Sequence, residues 1–157
     1  LVATRKSAGA EEGARIAREL RTLAPGVPVA ECWIAPASLE PVHPGGGGPP
    51  PAAGDAVLAV AALADPRPFA ENLRERGLAV ELASFPDHHP FDAAEAAALL
   101  RRAGGRPLVM THKDAVKLRE ILPPAVDAWV LRQTVRFTSG EEALLRALDA
   151  AVDGALR

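Results

Sequence analysis

Asp87, His88 and His89 are the residues best suited to chemistry, because they place a carboxylate directly before two imidazoles. A carboxylate beside an imidazole can orient the ring, fix its tautomer and stabilise its cation, as a general base or proton relay requires. The same triplet offers ligands to a divalent metal, although adjacent residues need further ligands to complete a metal site. In a purely structural interpretation, Asp87 caps a turn and both histidines are polar surface residues. The residues alone leave all three interpretations open.

A second group, Thr111-His112-Lys113-Asp114, combines a hydroxyl, an imidazole, an ammonium and a carboxylate. Thr111 and Asp114 can cap a short helix, which we predict over residues 115–120, and Lys113 can be a solvated cation. Alternatively, Lys113 binds a phosphate or pairs with a carboxylate across the site. Arg5 and Lys6, after an apolar opening segment, offer the same phosphate chemistry.

Both groups follow predicted β-strands. The continuous apolar run at 56–62 predicts a strand buried on both faces, and further strands are predicted at 78–84 and 107–110. Helices are predicted between them, at 66–76 and from an Asp92–Glu95 capping box to residue 103. This alternation predicts an α/β fold with a three-layer, mostly parallel sheet.

Parallel sheets of this kind bind ligands beyond the carboxyl ends of their strands. Three segments follow the predicted strands there, at 63–66, 87–89 and 111–114. If the three strands are neighbours, these segments converge on one edge of the sheet, and the candidate residues form one site.

The flanking regions have a different pattern. A helix is predicted over 10–24 with Ser7 as its cap, followed by a strand at 27–34. The glycine- and proline-rich stretch at 41–54 predicts a linker or exposed loop, in which His43 is expected to be solvated. A strand at 129–137, polar on one face, is expected to be exposed or antiparallel, and Ser139 with Glu142 predicts a capping box for the last helix.

Composition excludes several classes of protein. The 157 residues are 48% hydrophobic with a net charge of −2, which fits a packed core and disfavours general nucleic-acid binding. No apolar run reaches the roughly 20 residues of a membrane-spanning helix. Cys32 is the single cysteine, so neither an internal disulfide nor a cysteine zinc cage can form. The four glycines at 45–48 lack the Lys-Ser/Thr of a phosphate-binding loop, and that motif is absent from the sequence.

The start of the chain is unlike a natural start. Leu1-Val2-Ala3 begins without methionine and is typical of the end of a β-strand. We therefore expect the sequence to begin inside a longer protein.

Four segments together resemble a known family. They are L-V-A-T-R-K at 1–6, V-L-A-V-A-A-L-A-D-P-R-P-F at 57–69, F-P-D-H-H-P-F at 85–91 and M-T-H-K-D-A-V-K-L at 110–118. In this order they resemble the C-terminal half of the tetraacyldisaccharide 4'-kinases, the lipid A 4'-kinases, over nearly the whole chain. The third and fourth segments form the specific pair, whereas either alone is a weak signal.

The resemblance implies ATP-dependent, Mg²⁺-using phosphorylation of the 4'-hydroxyl of a lipid-linked glucosamine disaccharide, with peripheral association at the cytoplasmic face of the bacterial inner membrane. It implies that the nucleotide loop, the magnesium ligands and a base aspartate lie in an N-terminal half outside this chain, which would be inactive alone. His88, with Asp87 beside it, is then expected to help activate the sugar hydroxyl. Thr111, Lys113 and Asp114 are expected along the interdomain cleft.

The resemblance also predicts an organisation into domains. Residues 1–42 are expected to be a remnant of a P-loop kinase core with a connecting strand, and 43–54 a linker. Residues 55–128 would form the C-terminal α/β domain, and 129–157 a second connecting strand, antiparallel to the first, with a helix returning to the core.

Two departures from the family pattern stand out. Ala62 occupies a position that is usually glycine, and His112 one that is usually glutamate.

Two other functions fit the same residues. One is a metal-dependent phosphoesterase that uses Asp87, His88 and His89, and it predicts further Asp or His ligands around the loop. The other is a non-catalytic α/β module that binds a sugar or nucleotide.

Overall fold

The computed structural model describes residues 1–5 and 9–155 of the chain, which leaves Lys6 and Ser7 outside the described residues. The described residues form six strands and five helices. The strands are β1 (Val2–Arg5), β2 (Ala30–Pro41), β3 (Ala56–Ala62), β4 (Ala79–Phe85), β5 (Leu108–Met110) and β6 (Ala128–Ser139). The helices are α1 (Ala10–Leu23), α2 (Arg67–Glu75), α3 (Ala93–Ala103), α4 (His112–Leu118) and α5 (Glu141–Ala155). Among these helices, none is long and apolar enough to span a membrane.

The chain divides into two compact units. Unit 1 comprises Leu1–Ala35 and Thr134–Arg157, and unit 2 comprises Pro36–Gln133. The chain passes between the units twice, within β2 and within β6. Hydrogen bonding orders the strands β1-β2-β6-β5-β3-β4.

Unit 2 contains the parallel strands that the sequence predicts. β3 pairs in parallel with β4 on one side and β5 on the other, and β5 pairs in parallel with β6. β2 runs the opposite way, because the N–H of Val42, just after β2, donates to the carbonyl of Ala128 at the start of β6 (2.8 Å). Two residues earlier in the chain, Oε2 of Glu40 in β2 lies 3.5 Å from Nε of Arg132, which is four residues after Ala128 in β6. The residue numbers of the paired positions therefore run in opposite directions, as in an antiparallel pair. The predicted α/β class with a mostly parallel sheet and an antiparallel connecting pair is confirmed.

The central strands β3 and β5 bury side chains on both faces, and the uninterrupted apolar sequence of β3 fits that position. Alternate residues of β3 enter two different clusters: Val57, Ala59 and Ala61 pack with Phe69 and Leu73 of α2. The other cluster joins Leu58, Val60 and Ala62 to side chains of α3 and α4, including Leu99, Ala103, Ala115 and Leu118. A helix layer therefore covers each face of the sheet, and three layers result.

Two predicted elements have the wrong bounds. β2 begins at Ala30 and extends to Pro41, beyond the predicted 27–34, and its C-terminal part belongs to unit 2. Helix α4 begins at His112 and not at residue 115. The reason is local, since Thr111 has extended backbone and its hydroxyl accepts the N–H of Asp114 (3.2 Å), which makes Thr111 the N-cap.

The glycine- and proline-rich stretch is a mostly exposed loop, one of the two predicted forms, and it packs against unit 2 around Gly46 and Gly47. A Cβ at Gly46 would lie 2.5 Å from the carbonyl oxygen of Pro124, so only glycine permits this approach. His43 is half-buried, contrary to the expectation of a solvated ring, and its Nε2 is buried without a partner among the described residues. Residues 42–47 thus lie beside the segment from Pro124 to Trp129.

Unit 1 pairs β1 in parallel with the first part of β2, from Val2 beside Ala30 to Arg5 beside Trp33. Gly9 is the N-cap residue of α1 and provides no side-chain cap, while the expected cap, Ser7, lies outside the described residues. The predicted Ser139–Glu142 box is wrong, because α5 begins at Glu141 and the N–H of Leu144 donates to Gly140. Gly140 has φ 79° and a Cβ there would lie 2.4 Å from the carbonyl oxygen of Val29.

Candidate functional site

The candidate residues follow three neighbouring parallel strands in unit 2. β3 ends at Ala62, β4 at Phe85 and β5 at Met110, with β3 between the other two. The segments at 63–66, 87–89 and 111–114 therefore leave the same edge of the sheet. This is the arrangement that strand-end ligand sites require.

Lys113 joins the second and third segments directly. Its Nζ donates to Oδ1 of Asp87 at 2.6 Å, and the two side chains are 37% and 42% exposed. The Lys113 ammonium, by hydrogen bonding and by its charge, holds the pKa of the Asp87 carboxyl below its usual value. Asp87 is therefore an anion at any pH near neutrality, and it stays beside the neighbouring imidazole in that form.

His88 is the exposed imidazole of the loop. Its backbone N–H donates to Oδ1 of Asp87 (3.0 Å), and its ring Nε2 lies 3.8 Å from Oδ2 of the same carboxylate. The ring is 80% exposed and the backbone is left-handed, with φ 61°, a conformation that costs energy for any residue with a Cβ. Such a ring can take a proton from an incoming group while the carboxylate stabilises the resulting cation.

His89 has a different environment, which the sequence did not reveal. Its Nε2 donates to the Glu95 carboxylate at 2.8 Å from each oxygen, and the ring is 21% exposed. The ring packs between Phe85 and Phe91, with centroids 5.0 Å from each. His89 is thus a packing residue, and it orders the loop from which His88 projects.

Two contacts fix this loop to the helices on either side. Glu95 also accepts the N–H of Asp92, which completes the predicted capping box of α3. Lys117 of α4 donates from Nζ to the carbonyl oxygen of His89 at 2.6 Å. The Asp92–Glu95 spacing was a visible signal that Glu95 lies near the loop, whereas the contact of Lys117 depends on the packing of α4.

Asp114 lies beneath the site and not on its surface. Its side chain is 0% exposed, and Oδ2 accepts the N–H of Ala62 (3.0 Å) and the hydroxyl of Thr111 (2.7 Å). Oδ1 is buried without a partner among the described residues. The carboxylate therefore ties the end of β3 to the start of α4.

The first segment contributes less. Asp65 pairs with Arg67, two residues later, at 2.9 Å, and this contact is local and exposed. Ala62 stands where the family usually has glycine. Its backbone N–H still donates to Asp114, so the Ala62 side chain does not prevent this close backbone contact at the turn.

The geometry bears on the metal interpretation of the triplet. The side chains of His88 and His89 point to different carboxylates, Asp87 and Glu95. Within residues 1–5 and 9–155, no group of three or more His, Cys, Asp or Glu side chains is arranged to hold a metal ion. The further ligands that the phosphoesterase interpretation predicts around the loop are not found in this part of the chain.

Comparison with known families assigns the chain. The model of the family described as "Tetraacyldisaccharide-1-P 4'-kinase" matches residues 2–153. The chain belongs to this family. Both the loop with Asp87 and His88 and the helix start with Lys113 lie inside the matched range, so the resemblance inferred from the four segments is confirmed.

Several curated proteins are similar to this member of the 4'-kinase family. A tetraacyldisaccharide 4'-kinase of Methylobacterium nodulans is 42% identical over 103 residues, which cover 64% of this chain and 29% of the relative. One from Rhodopseudomonas palustris is 39% identical over 107 residues, covering 66% and 31%. One from Azoarcus is 42% identical over 87 residues, covering 55% and 24%.

The similarity spans less than a third of the length of each of these 4'-kinases. No solved structure matches the chain.

Proposed function

We propose that this chain is the C-terminal region of a longer kinase that transfers phosphate from ATP to the 4'-hydroxyl of a tetraacyl glucosamine disaccharide 1-phosphate in lipid A biosynthesis. The family match over residues 2–153 and the names of the relatives support it. In this proposal residues 1–42 and 129–157 belong to a P-loop kinase core and its connecting strands, and 55–128 form the C-terminal domain. The enzyme would work as a peripheral protein at the cytoplasmic face of the inner membrane.

One observation carries the proposal at the level of chemistry: an exposed imidazole, His88, stands next to a carboxylate, Asp87, at the carboxyl edge of the sheet. A sugar hydroxyl is a weak nucleophile because its pKa is high, and it gains from a base that receives its proton. His88, paired with the base aspartate expected outside this chain, would help to take up that proton as the hydroxyl oxygen bonds to the γ-phosphorus, and ADP would leave with the electrons of the broken bond between the γ-phosphorus and the β–γ bridging oxygen. Asp87 would stabilise the imidazolium.

The described part of this chain does not fit a magnesium site. It has no three-ligand group, and the sequence has no phosphate-binding loop motif. We therefore place ATP and Mg²⁺ on the remainder of the longer protein and derive no step through the metal from these residues. The contribution of this chain is to position and activate the acceptor, which is most of what phosphoryl transfer asks of a protein besides charge neutralisation.

The proposal is tested on the full polypeptide encoded by the gene. Purified protein with ATP, Mg²⁺ and the tetraacyldisaccharide 1-phosphate should form the 4'-phosphorylated lipid. His88→Ala should lower kcat by about 100-fold or more, the usual contribution of a general base. His112→Ala is the matched control, since His112 is also an exposed histidine, and we expect its kcat to stay within about threefold of wild type.

Two further observations discriminate the alternatives. The reading frame upstream of Leu1 should encode a strand followed by G-x-x-x-x-G-K-[ST], and the 157 residues alone should transfer no phosphate. An upstream sequence without that motif would favour the non-catalytic binding module. Wild-type kcat in the His88→Ala variant would reject the role of His88.

A further inference from the structure

We propose that Lys113 is a positioning residue for the candidate base: it holds the Asp87 carboxylate, and through it the His88 ring, from a helix start that Asp114 fixes. The inference rests on the proposed function and adds to it a residue that acts without touching the substrate.

The base of the network is rigid. Asp114 is 0% exposed, and its Oδ2 accepts both the N–H of Ala62 (3.0 Å) and the hydroxyl of Thr111 (2.7 Å). The hydroxyl of Thr111 in turn accepts the N–H of Asp114 (3.2 Å). These bonds fix the first turn of α4 to the last residue of β3. The backbone of Lys113, directly before Asp114, is fixed with it.

From this base the Lys113 side chain reaches the loop after β4. Its Nζ donates to Oδ1 of Asp87 at 2.6 Å, and the same oxygen accepts the N–H of His88 at 3.0 Å. The other oxygen, Oδ2, is the one that faces the His88 ring, 3.8 Å from Nε2. The two oxygens thus have separate tasks: Oδ1 is held by Lys113 and the loop backbone, which directs Oδ2 towards the imidazole.

Without the ammonium, the Asp87 side chain would keep one hydrogen-bond donor among the described residues, the adjacent N–H of His88. A carboxylate that is 42% exposed would then be free to rotate into solvent. Misplacement of a catalytic group by about 1 Å can reduce a rate by about 100-fold, so we expect a loss of rate without a loss of substrate binding.

Lys117 provides a matched control on the same helix. Its Nζ also donates to the loop at 2.6 Å, but to the main-chain carbonyl of His89 and not to an ionisable group beside His88. Both lysines tether α4 to the loop by one hydrogen bond. Only Lys113 binds the carboxylate that faces the exposed ring.

The experiment measures kinetics of the full polypeptide carrying Lys113→Met, Lys113→Arg or Lys117→Met. Methionine keeps the length of the side chain and removes its charge. We expect Lys113→Met to lower kcat by about tenfold or more with KM within about twofold, and Lys113→Arg to retain at least about a third of kcat. Lys117→Met should stay within about threefold of wild type.

The pKa of Asp87 adds a readout that a merely structural contact would not move. The charged groups that act on the Asp87 carboxylate among the described residues are Lys113 from α4 and His88 from its own loop. Removing the ammonium raises the pKa of Asp87, whereas arginine keeps a cation beside it, so the pKa should rise in Lys113→Met and stay low in Lys113→Arg. Unchanged kcat in Lys113→Met, an equal loss in Lys117→Met, or no rescue by arginine would overturn the inference.

A measurement without activity separates this inference from the proposed function. The pKa of the Asp87 carboxyl is titrated by carbon-13 NMR in the 157-residue chain. It should rise in Lys113→Met and remain unchanged in Lys117→Met. An unchanged pKa in Lys113→Met overturns the positioning role whatever the enzyme does, whereas absence of phosphoryl transfer by the wild-type polypeptide overturns only the proposed function.

Discussion

The candidate site has a buried end and an exposed end, and the two are built by opposite means. At the buried end, Asp114 is inaccessible to solvent and accepts hydrogen bonds from the end of β3 and from Thr111. At the exposed end, His88 is 80% exposed and is placed by a short loop and one charged contact. A reactive group must be accessible, so its precision has to come from residues beneath it. In the proposed network the start of α4 gives that support through Lys113, in addition to the packing of His89 within the loop.

The largest loss in the free energy of unfolding should come from removing the Asp114 carboxylate at the buried end. Asp114→Ala removes the acceptor of the buried Ala62 N–H and of the partly buried Thr111 hydroxyl. Leaving buried donors unpaired costs about 1–3 kcal/mol each, so we expect the free energy of unfolding to fall by about 2–4 kcal/mol in urea titrations. Asp114→Asn retains one acceptor oxygen and should lose less, which keeps the test informative if the alanine variant does not fold.

Asp65→Ala is the control for that prediction. Asp65 also follows β3 but lies on the surface, where it pairs with Arg67 among the described residues. Exposed ion pairs contribute about 0–1 kcal/mol, so this variant should unfold at nearly the wild-type urea concentration. Equal losses for the two aspartates would show that the buried end is not the stronger support.

At the buried end of the site, the sequence predicted where most of the helices and strands lie, but it did not predict the hydrogen bonds that join them. The apolar run of β3 and the capping pair of α3 are local patterns, and both elements were predicted within one residue of their bounds. The predicted start of α4 was wrong because Thr111 and Asp114 interact with each other across the first turn. The bond from Asp114 to Ala62 joins residues 52 apart, which no local pattern encodes.

At the exposed end, the sequence indicated which residue types could do chemistry, but it did not indicate how their side chains are arranged. Asp87 and His88 were singled out for their chemistry and by the family resemblance, but no local pattern showed that the rings of His88 and His89 have different surroundings. The difference arises from aromatic residues on both sides of the loop and from Glu95, which face only the second ring. The contact of Lys113 with Asp87 was one of several alternatives, and it became specific only when β3 was found between β4 and β5.

The two histidines of the loop allow a direct comparison of packed and exposed rings. His89→Ala removes the contacts with Phe85 and Phe91 and the hydrogen bond to Glu95, so we expect a loss of about 1–2 kcal/mol in the free energy of unfolding. His88→Ala should change it by less than about 0.5 kcal/mol, because its ring is exposed. Urea titration of both variants measures the difference. Similar losses would contradict the assignment of His89 as the packing residue.

The smallest expected change in the free energy of unfolding comes from the ion pair between Lys113 and Asp87 at the exposed end. This change depends on pH. Lys113 lowers the pKa of Asp87 in the folded state below the ordinary value of about 3.9 that applies in the unfolded chain. A lowered pKa means that the pair stabilises the fold above the unfolded pKa and that this stability is lost as the pH falls through the folded pKa.

Wild type and Lys113→Met should therefore differ in urea midpoint at pH 7 and converge as the pH falls below about 3.9. Comparing the two proteins at each pH removes the contribution of the other carboxylates, since Glu81 and Asp65 titrate alike in both. Because the side chains of Lys113 and Asp87 are both partly exposed, added salt should also reduce the difference in urea midpoint between the two proteins at pH 7. If the difference between the two urea midpoints is constant with pH, Lys113 stabilises the fold through the packing of its aliphatic chain. The exposed end would then lack the electrostatic contact that distinguishes it from the buried end.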